Sequence, residues 1–403
     1  MGKQPAILVV SFRPIPVPPV AGYALRILET ARYLATRGYA VDLLYVGRRD
    51  AGSDAGLRRA GIFRRVFRFW YEPWQFGANA LLGVVADLPI QVRAYTFPDV
   101  ARFLGERQHD YRAILANYVR VGELLRGLTV PVLLDLHDAI SLHYARAAAV
   151  ARGPRRLAYW AEGARLLRYE LACVRRFPLS VIVSDVDREY LISHGAPADR
   201  LVAVPVAVPR DLLLREPPAA PDEEDCVFVG RMAYAPNRDA ALWFAKDILP
   251  RVREQVPGAR FAVVGADPPR EVRSLDGEPG ITVTGTVPDP HFWVERAKAV
   301  VAPIRYGAGM QNKVLQGLAL RRAVVLSSLS AESLGGIAGE HYLVADGPAE
   351  FAAATARCLE DQALRARLGA AGRELIERRY SWDAVGNAIA EAIERLAAQP
   401  RPA

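Results

Sequence analysis

Cysteine and histidine are scarce in this sequence. Among its 403 residues only three are cysteine and six are histidine. Cys173, Cys226 and Cys358 lie far apart, with neither a CxxC pair nor a histidine cluster beside them. This spacing argues against a disulfide framework and against a structural zinc site. We therefore expect a protein of a reducing cytoplasm that needs no metal.

Long apolar segments are also lacking. The start, MGKQPAILVVSF, becomes strand-like within a few residues and is broken by Pro14, so it lacks the h-region of a signal peptide. The later stretch ALLGVVADLPI is about half of the roughly 20 residues that a spanning helix needs, and it contains Asp87. We expect the chain to stay in the cytoplasm without crossing a membrane.

The composition is that of a folded protein with two domains. The chain is 51% hydrophobic and 24% charged, which excludes global disorder. A chain of this length exceeds what one core normally supports, so we expect two domains of about 200 residues each. The chain is too long for a lone small binding module.

The net charge of +8 is distributed unevenly along the chain. Residues 1–210 hold 29 Lys and Arg against 18 Asp and Glu, whereas residues 211–403 hold 23 against 26. Nearly all of the positive charge is Arg, which binds phosphates in a bidentate manner. Polyanions, anionic membrane surfaces or phosphorylated substrates are candidate partners, and a codon bias toward Arg is the alternative explanation.

Strands and helices are predicted to alternate along the chain, which indicates parallel sheets covered by helices on both faces. In the first half the strands are AILVVSF, AVDLLYVG, RAILANYV, PVLLDLHD and LSVIVSD, with helices around GYALRILETARYLATRGY and RLAYWAEGARLLRYELACVRRF. Ser184, followed by Asp187, is predicted to cap a helix. After the Pro-rich segment VPVAVPRDLLLREPPAAPDEED a second series follows: CVFVGR, RFAVVGAD, ITVTGTV, AVVAPIRYG and AVVLSS.

We therefore predict an α/β protein of two Rossmann-like, doubly wound domains. The predicted bounds are 1–205 for the amino-terminal domain, 206–222 for the linker, 223–378 for the carboxyl-terminal domain and 379–403 for a closing helix. In such a fold the carboxyl ends of both sheets face a cleft, where ligands bind.

The loop RYGAGMQNK carries the clearest chemical signal. No GxGxxG follows the first strand and no complete Walker A occurs, which argues against a dehydrogenase or a P-loop ATPase. Gly307 and Gly309 permit close backbone approach, a helix predicted over 310–321 begins with free N–H groups, and Lys313 adds a full charge. This pattern predicts a cradle for a diphosphate, with Gln316 on the same helix face as Lys313.

Four stretches resemble the retaining nucleotide-sugar glycosyltransferases of family 4, which have the GT-B fold. They are PPVAGYALR, FVGRMAYAPNRDAALWFAKDILP, FAVVGADPP with ITVTGTVPD, and APIRYGAGMQNKVLQGLALRRAVVLSS. The motifs AYAPN, GMQNKVLQ and EHYLVAD most resemble the branch of the family that is associated with bacterial exopolysaccharide and PEP-CTERM export systems. The resemblance implies that the closing helix crosses back to the first domain, with Trp382 as its packing anchor.

The resemblance implies specific roles for residues of the donor site. Arg231 and Lys313 would contact the donor diphosphate, and backbone near Val287 would line the nucleobase. The amides of three further residues would hold phosphate or sugar oxygens: Gly309, Met310 and Gln311.

In the amino-terminal domain the resemblance implies two further contacts. Gly22 would let that domain approach the donor, and His137 would lie near the sugar or the departing phosphate. The sequence departs from the family pattern where two carboxylates are usual, since Ala308 and Gln316 occupy those positions. Gln316 can still hydrogen-bond a ribose diol, but without the strength of a charged group.

Several residues also have purely structural interpretations. His137 can be a buried histidine bonded to Asp138 or to backbone, and the SDVD stretch is interpreted as a helix cap rather than a metal-binding DxD. Glu170 is interpreted as an ordinary i, i+4 helix charge near Arg165 and Arg168, with a role in acceptor binding as the alternative. The segment IFRRVFRFWYEPWQF is either a partly buried strand and loop or a contact with an anionic bilayer.

The sequence thus predicts a glycosyltransferase that moves a sugar, with retention, from a nucleotide-diphosphate sugar to the hydroxyl of a polysaccharide, lipid-linked or small-molecule acceptor. The expected location is cytoplasmic or peripheral at the inner membrane face, and no nucleic-acid partner is expected. The alternatives are a non-catalytic sugar-nucleotide-binding protein and a GT-B sugar-nucleotide epimerase.

Overall fold

The computed structural model describes residues 4–17, 22–47, 53–215, 224–306 and 310–398. The chain divides into two compact units. One comprises Met1–Val206 with Val385–Ala403, and the other comprises Ala207–Ala384. Each unit is built around one parallel sheet.

The amino-terminal unit contains a seven-stranded sheet in the order β3-β2-β1-β4-β5-β6-β7, with every neighbouring pair parallel. Its strands are β1 (Ala6–Ser11), β2 (Ala40–Gly47), β3 (Arg65–Trp70), β4 (Ala113–Asn117), β5 (Val132–His137), β6 (Leu179–Ile182) and β7 (Leu201–Ala203). The four strands β1, β2, β4 and β5 are buried along their whole length, as expected for a sheet covered on both faces.

Helices connect these strands. They are α1 (Gly22–Thr36), α2 (Ser53–Ala60), α3 (Pro73–Val85), α4 (Ile90–Arg93), α5 (Pro98–Arg107), α6 (Ile140–Val150), α7 (Pro154–Arg176) and α8 (Asp185–Ser193). Short 3₁₀ helices cover Gln108–Asp110, Val119–Leu125 and Ala198–Arg200. The Ser184 hydroxyl accepts the Asp187 amide at 3.1 Å, so the cap predicted from the SDVD stretch is confirmed.

The carboxyl-terminal unit repeats the plan with six strands in the order β10-β9-β8-β11-β12-β13, again all parallel. The strands are β8 (Glu224–Val229), β9 (Phe261–Val264), β10 (Ile281–Gly285), β11 (Ala297–Ala302), β12 (Ala323–Leu326) and β13 (Leu343–Val344). The prediction of two doubly wound α/β domains is therefore confirmed.

The helices of this unit are α9 (Arg210–Leu214), α10 (Ala235–Trp243), α11 (Leu249–Gln255), α12 (Arg270–Arg273), α13 (Pro290–Glu295), α14 (Asn312–Ala319), α15 (Ser328–Ala331), α16 (Pro348–Glu360) and α17 (Gln362–Arg379). A π-helical turn, Phe244–Ile248, joins α10 to α11. The Pro-rich segment predicted as the linker contains α9, and the side chain of Leu212 in that helix is fully buried.

The last helix, α18 (Trp382–Ala398), joins the amino-terminal unit from Val385 onward. There Asn387 Oδ1 accepts hydrogen bonds from the Tyr33 hydroxyl and from Arg37 Nη2 of α1, and Gly386 lies against the Tyr33 ring. A side chain at Gly386 would collide with that ring, so the small residue permits the helices to approach closely.

Candidate active site

In the carboxyl-terminal unit the chain order reverses between β8 and β11, with β9 and β10 on one side and β12 and β13 on the other. Open parallel sheets bind ligands outside the carboxyl ends of their strands at such a point. Arg231 follows β8, and the loop of 307–309 with helix α14 follows β11. Arg231 and the start of α14 therefore follow two strands that pair with each other. Gly307 and Gly309, and with them Ala308, lie outside the described residues.

Lys313 is a buried cation in the first turn of α14. Lys313 is only 7% exposed. Its Nζ donates to Gln311 Oε1 at 2.8 Å and lies 5.4 Å from the centre of the Phe228 ring of β8. Burial lowers the pKa of Lys313 to about 8. No carboxylate of the described residues pairs with this ammonium. A buried ammonium without such a partner costs free energy of folding, and it is typical of a site that binds an anion.

Arg231 lies on the surface just beyond β8. Its Nε donates to Asp267 Oδ2 at 2.9 Å, while most of its side chain is exposed. Asn237 Nδ2 donates to the Arg231 carbonyl at 3.0 Å and so holds the loop against the start of α10. At Gly265, with φ of +144°, a Cβ would lie 2.0 Å from the Gly230 carbonyl oxygen, so glycine is required there for the loops after β8 and β9 to meet.

The other predicted donor-binding residues of this unit lie on neighbouring loops. Met310 and Gln311 precede α14 and are half-buried, and Gln311 is the residue that caps this helix. Gln316 is half-buried one turn after Lys313, and Val287 is half-buried in the loop after β10. Lys313 and Gln311 are brought into direct contact, whereas the roles of Val287 and Gln316 remain predictions.

His137 ends β5 in the amino-terminal unit. It has a φ of +63° and is 5% exposed, and its ring stacks on that of Tyr118 with centroids 4.1 Å apart. Tyr118, just beyond β4, has a φ of +69°. Two non-glycine residues in the left-handed region side by side store backbone strain of the kind found at functional sites.

Burial determines the ionisation of His137. It lowers the pKa of His137 to about 4, and the neighbouring Asp135 only partly opposes this effect. His137 is therefore neutral at pH 7, and no described residue hydrogen-bonds its Nε2 atom. A neutral imidazole has one donor and one acceptor nitrogen, so it can hydrogen-bond a sugar hydroxyl in either direction. Gly22, the remaining predicted residue of this unit, begins α1 and is exposed, with open space where a Cβ would lie.

An ion pair beneath His137 orders this part of the sheet. Arg26 of α1 donates through Nε to Asp135 Oδ2 at 2.6 Å, and Asp135 Oδ1 accepts the His137 amide at 3.1 Å. Burial by itself would raise the pKa of Asp135, but Arg26 and His137 lower it overall. Arg26 and Asp135 are both buried, and the sequence analysis identified neither.

Glu170 corrects an expectation from the sequence. It was expected to be an ordinary i, i+4 helix charge near Arg165 and Arg168, but it is fully buried and its hydrogen-bond partners are on another helix. Glu170 of α7 accepts the Ile140 amide at 2.8 Å and the Ser141 hydroxyl at the start of α6. Helix periodicity places Glu170 on a face, but it does not tell that the start of another helix lies against that face.

Within the described ranges no group of three His, Cys, Asp or Glu side chains is arranged to hold a metal ion. None of the described helices combines the length and the apolarity that a bilayer crossing requires. The three cysteines are buried free thiols.

Two family models match this chain. Residues 21–207 match the glycosyl transferase 4-like domain, and residues 223–361 match glycosyl transferases group 1. The first matched segment contains β2 to β7 of the first sheet, and the second contains all six strands of the second sheet. Among curated protein sequences there is no match.

Solved structures with the same architecture cover nearly the whole chain. Sucrose-phosphate synthase from Thermosynechococcus elongatus is 18% identical with a TM-score of 0.71, over 98% of this chain and 99% of that one. HepE from Anabaena, in complex with UDP, is 16% identical with a TM-score of 0.69, over 97% and 100%. An α,α-trehalose-phosphate synthase (UDP-forming) from Burkholderia vietnamiensis is 14% identical with a TM-score of 0.64, over 98% and 100%. Taken with the two family models, these structures identify the chain as a GT-B glycosyltransferase.

Proposed function

We propose that this glycosyltransferase transfers a sugar, with retention of anomeric configuration, from a nucleoside-diphosphate sugar to an acceptor hydroxyl in the synthesis of a cell-surface polysaccharide or glycolipid. The observation that carries the proposal is Lys313, a buried cation that no carboxylate in the described ranges neutralises, on the helix that follows β11. The similar HepE was solved with UDP and with UDP-glucose, so we take UDP as the first nucleotide to test.

In the proposed reaction the charge that develops on the departing diphosphate is the main target of catalysis. Lys313 supplies a full charge from inside the unit, and Arg231 supplies a second one from an exposed position once it exchanges Asp267 for phosphate. The amides of Met310 and Gln311, before α14, would add partial positive charge. A departing phosphate can itself accept the acceptor proton, so the proposal needs no separate base and no metal.

His137 has a different role in the proposal. Because it stays neutral at pH 7, it can hydrogen-bond a sugar hydroxyl or a phosphate oxygen without adding charge. Gln316 would hold the ribose diol, Val287 would line the base, and Gly22 would leave room for the donor. Gly307 and Gly309 would let phosphate approach the backbone closely.

The proposal is tested by release of UDP from UDP-glucose, measured with and without candidate acceptors. Lys313→Met and Arg231→Met should each lower kcat/KM at least a hundredfold, that is by about 2.7 kcal/mol of transition-state stabilisation. Lys246→Met and Arg251→Met are matched controls, since both side chains are exposed in the same unit. Unchanged turnover in Lys313→Met and Arg231→Met would refute the assigned roles.

We further propose that the amino-terminal unit rests on an anionic membrane surface. Exposed apolar side chains occur on α3 and at the start of α7, notably Trp74, Leu81, Leu157 and Trp160. Helix α4 contacts α3, and its Ile90 amide donates to Glu162 of α7, so the helices that carry the two exposed patches are linked through α4.

Arginines accompany this apolar surface, as expected for a membrane contact. Arg152, Arg155 and Arg156 are exposed beside Leu157, and no described carboxylate pairs with them. The double variant Leu157→Glu/Trp160→Glu should no longer float with vesicles of equimolar phosphatidylcholine and phosphatidylglycerol. Ile337→Glu, at an exposed apolar residue of the other unit, should float like the wild type. Equal flotation of all three proteins would exclude this surface as the contact.

A further inference from the structure

Two arginines lie where the chain order reverses in the sheet of the amino-terminal unit. In the order β3-β2-β1-β4-β5-β6-β7 the reversal falls between β1 and β4. Arg13 follows β1 by two residues, and Arg120 follows β4 by three. Both therefore stand at the crevice outside the carboxyl ends of this strand pair, the position at which doubly wound sheets bind ligands.

The two positive charges share one aromatic ring. The Cζ atoms of Arg13 and Arg120 lie 4.3 Å and 4.7 Å from the centre of the Phe12 ring. Arg13 also lies over Tyr23, and Arg120 over Tyr118. The rings hold both guanidinium groups in place, so little conformational entropy would be lost when they bind an anion.

These charges are not neutralised within the described chain. No described carboxylate forms an ion pair with Arg13 or Arg120. Arg120 Nε donates to the neutral amide oxygen Oε1 of Gln91 at 2.9 Å. Burial lowers the pKa of Arg120, and repulsion from Arg13 contributes to the same shift. A pair of like charges held close together is unfavourable unless an anion lies between them.

A second observation at the same strand ends also indicates a ligand. His137 Nε2 and Asn117 Nδ2 are buried polar atoms without a hydrogen-bond partner among the described residues. Asn117 is the last residue of β4, and His137 is the last residue of β5, the next strand in the sheet. The His137 ring stacks on the Tyr118 ring, and the Tyr118 ring also contacts the Phe12 ring. Arg120 lies over Phe12, so His137 and Arg120 are linked through these two rings. Unsatisfied buried polar atoms are rare and call for a partner.

We propose that Arg13 and Arg120 bind a phosphate group of the acceptor, so that the substrate which receives the sugar is a phosphate or diphosphate ester. The assignment of this phosphate to the acceptor rests on the proposed function. The Arg side chains bind the phosphate oxygens, and the unpartnered groups of Asn117 and His137 remain for neighbouring hydroxyls. The ligand chemistry is shared by soluble sugar phosphates and by lipid-linked sugar phosphates.

An apolar groove nearby gives the lipid source a physical basis. Helices α6 and α7 line an open groove of about 590 Å³, whose lining includes Ala145, Ala148, Leu157, Trp160 and Leu167. The rings of Tyr144 and Tyr159 pack edge to face beside the groove, with their centroids 5.8 Å apart. Tyr144 also lies close enough to Arg120 to interact with its charge. An acyl or prenyl chain attached to a phosphate at Arg120 would therefore find apolar surface close by.

Calorimetric titration of the full-length protein with inorganic pyrophosphate tests the phosphate site. UDP is kept at saturation so that the donor site is occupied. The wild type should bind pyrophosphate, and Arg13→Gln/Arg120→Gln should weaken that binding at least tenfold, because the charge-assisted contacts to the phosphate oxygens are lost. Arg102→Gln, at an exposed arginine of α5 in the same unit, should bind like the wild type.

UDP affinity separates this inference from the proposed function. The double variant should keep the wild-type affinity for UDP, and an unchanged circular dichroism spectrum with a cooperative thermal transition establishes that its amino-terminal unit is folded. If UDP binds but pyrophosphate binding is absent or independent of Arg13 and Arg120, the inference is wrong and the donor site stands. If the wild type does not bind UDP, the proposed donor fails, and the same titration in Lys313→Met tests the arginine pair alone.

Geranyl diphosphate distinguishes the two sources of phosphate. Binding at least tenfold tighter than that of pyrophosphate, and lost in Arg13→Gln/Arg120→Gln, identifies a lipid-linked phosphate. Equal affinity for both probes, with the same dependence on the arginines, identifies a soluble phosphate ester. If Arg13→Gln/Arg120→Gln binds both pyrophosphate and geranyl diphosphate as tightly as the wild type does, the proposed site is wrong.

Discussion

The ammonium group of Lys313 is held in an environment that favours its neutral form, because burial lowers its pKa to about 8. A bound diphosphate restores the favourable charge interaction, so binding should require the protonated lysine. We expect the affinity for UDP to fall as pH rises through about 8 in the wild type. In Lys313→Arg, where the cation does not titrate in this range, the alkaline loss should be absent. Titration calorimetry between neutral and alkaline pH measures both, and the same alkaline loss in both proteins would contradict the assignment.

The same burial makes Lys313 costly for folding. Its folded pKa lies below the value of 10.5 for an unperturbed lysine, so at pH 7 the charged form destabilises the fold and stability should rise as pH increases from about 8 to 10.5. Lys313→Met should raise the free energy of unfolding at pH 7 by about 1–3 kcal/mol while abolishing UDP binding. Urea denaturation measures this difference. Lys246→Met, an exposed control, should change stability by less than about 0.5 kcal/mol. A destabilised Lys313→Met would mean that the lysine serves the fold instead.

At the scale of elements, Arg26 joins helix α1 to strand β5 and to the segment that follows β7. Besides Asp135 it donates to the carbonyl of Pro205 at 2.7 Å and to that of Val204 at 3.2 Å. Arg26→Met leaves Asp135 buried and unpaired, so it should lower the free energy of unfolding by about 3–5 kcal/mol. Arg32→Met, at an exposed arginine on the same helix, should cost less than about 1 kcal/mol. Comparable losses in the two variants, measured by chemical denaturation, would show that the buried pair is not special.

Glu170 connects helices α6 and α7 and makes that connection sensitive to pH. Burial raises its pKa to about 7, although hydrogen bonds from Ser141 and Ile140 oppose the shift. Between its unperturbed value of 4.5 and 7 the folded protein holds a proton that the unfolded chain has released, so stability should fall as pH rises through this window.

Glu170→Gln retains the shape of the side chain and removes the titration. The variant should gain up to about 3 kcal/mol relative to the wild type between pH 4.5 and 7, measured as the difference in unfolding free energy across pH. Glu189→Gln, an exposed residue of α8, should follow the wild-type curve. Parallel curves for wild type and Glu170→Gln would indicate that Glu170 is ionised throughout.

At the scale of the whole molecule, the sequence predicted the fold class well because buried parallel strands leave a strong apolar pattern. AILVVSF, AVDLLYVG and RFAVVGAD all became central strands, and the glycosyltransferase class inferred from GMQNKVLQ and its neighbours is confirmed by both family models. Arg13 and Arg120 were missed because strand order is not written in the chain. Each arginine follows a buried strand by two or three residues. This pattern predicts a shared site only when β1 and β4 are known to be neighbours in the sheet.

Side-chain surroundings were harder to predict than elements. A helical pattern could not tell that Glu170 caps α6, nor that Asp135 pairs with Arg26 over a sequence separation of 109 residues. Conversely, the Ser184 cap was predictable because it involves only residues three apart. Long-range polar pairs of this kind depend on how helices pack, and single-sequence periodicity contains no such information.

The most direct test of the central claim is thermal unfolding of the wild type and Lys313→Met with a panel of nucleoside diphosphates, UDP first. A ligand at a hundred times its Kd adds about 2.7 kcal/mol of stability. We predict a clear rise in Tm for the wild type and for Lys246→Met with at least one nucleoside diphosphate, and none for Lys313→Met. An equal rise in Lys313→Met, or no rise in the wild type with any member of the panel, would contradict a diphosphate site built around this lysine.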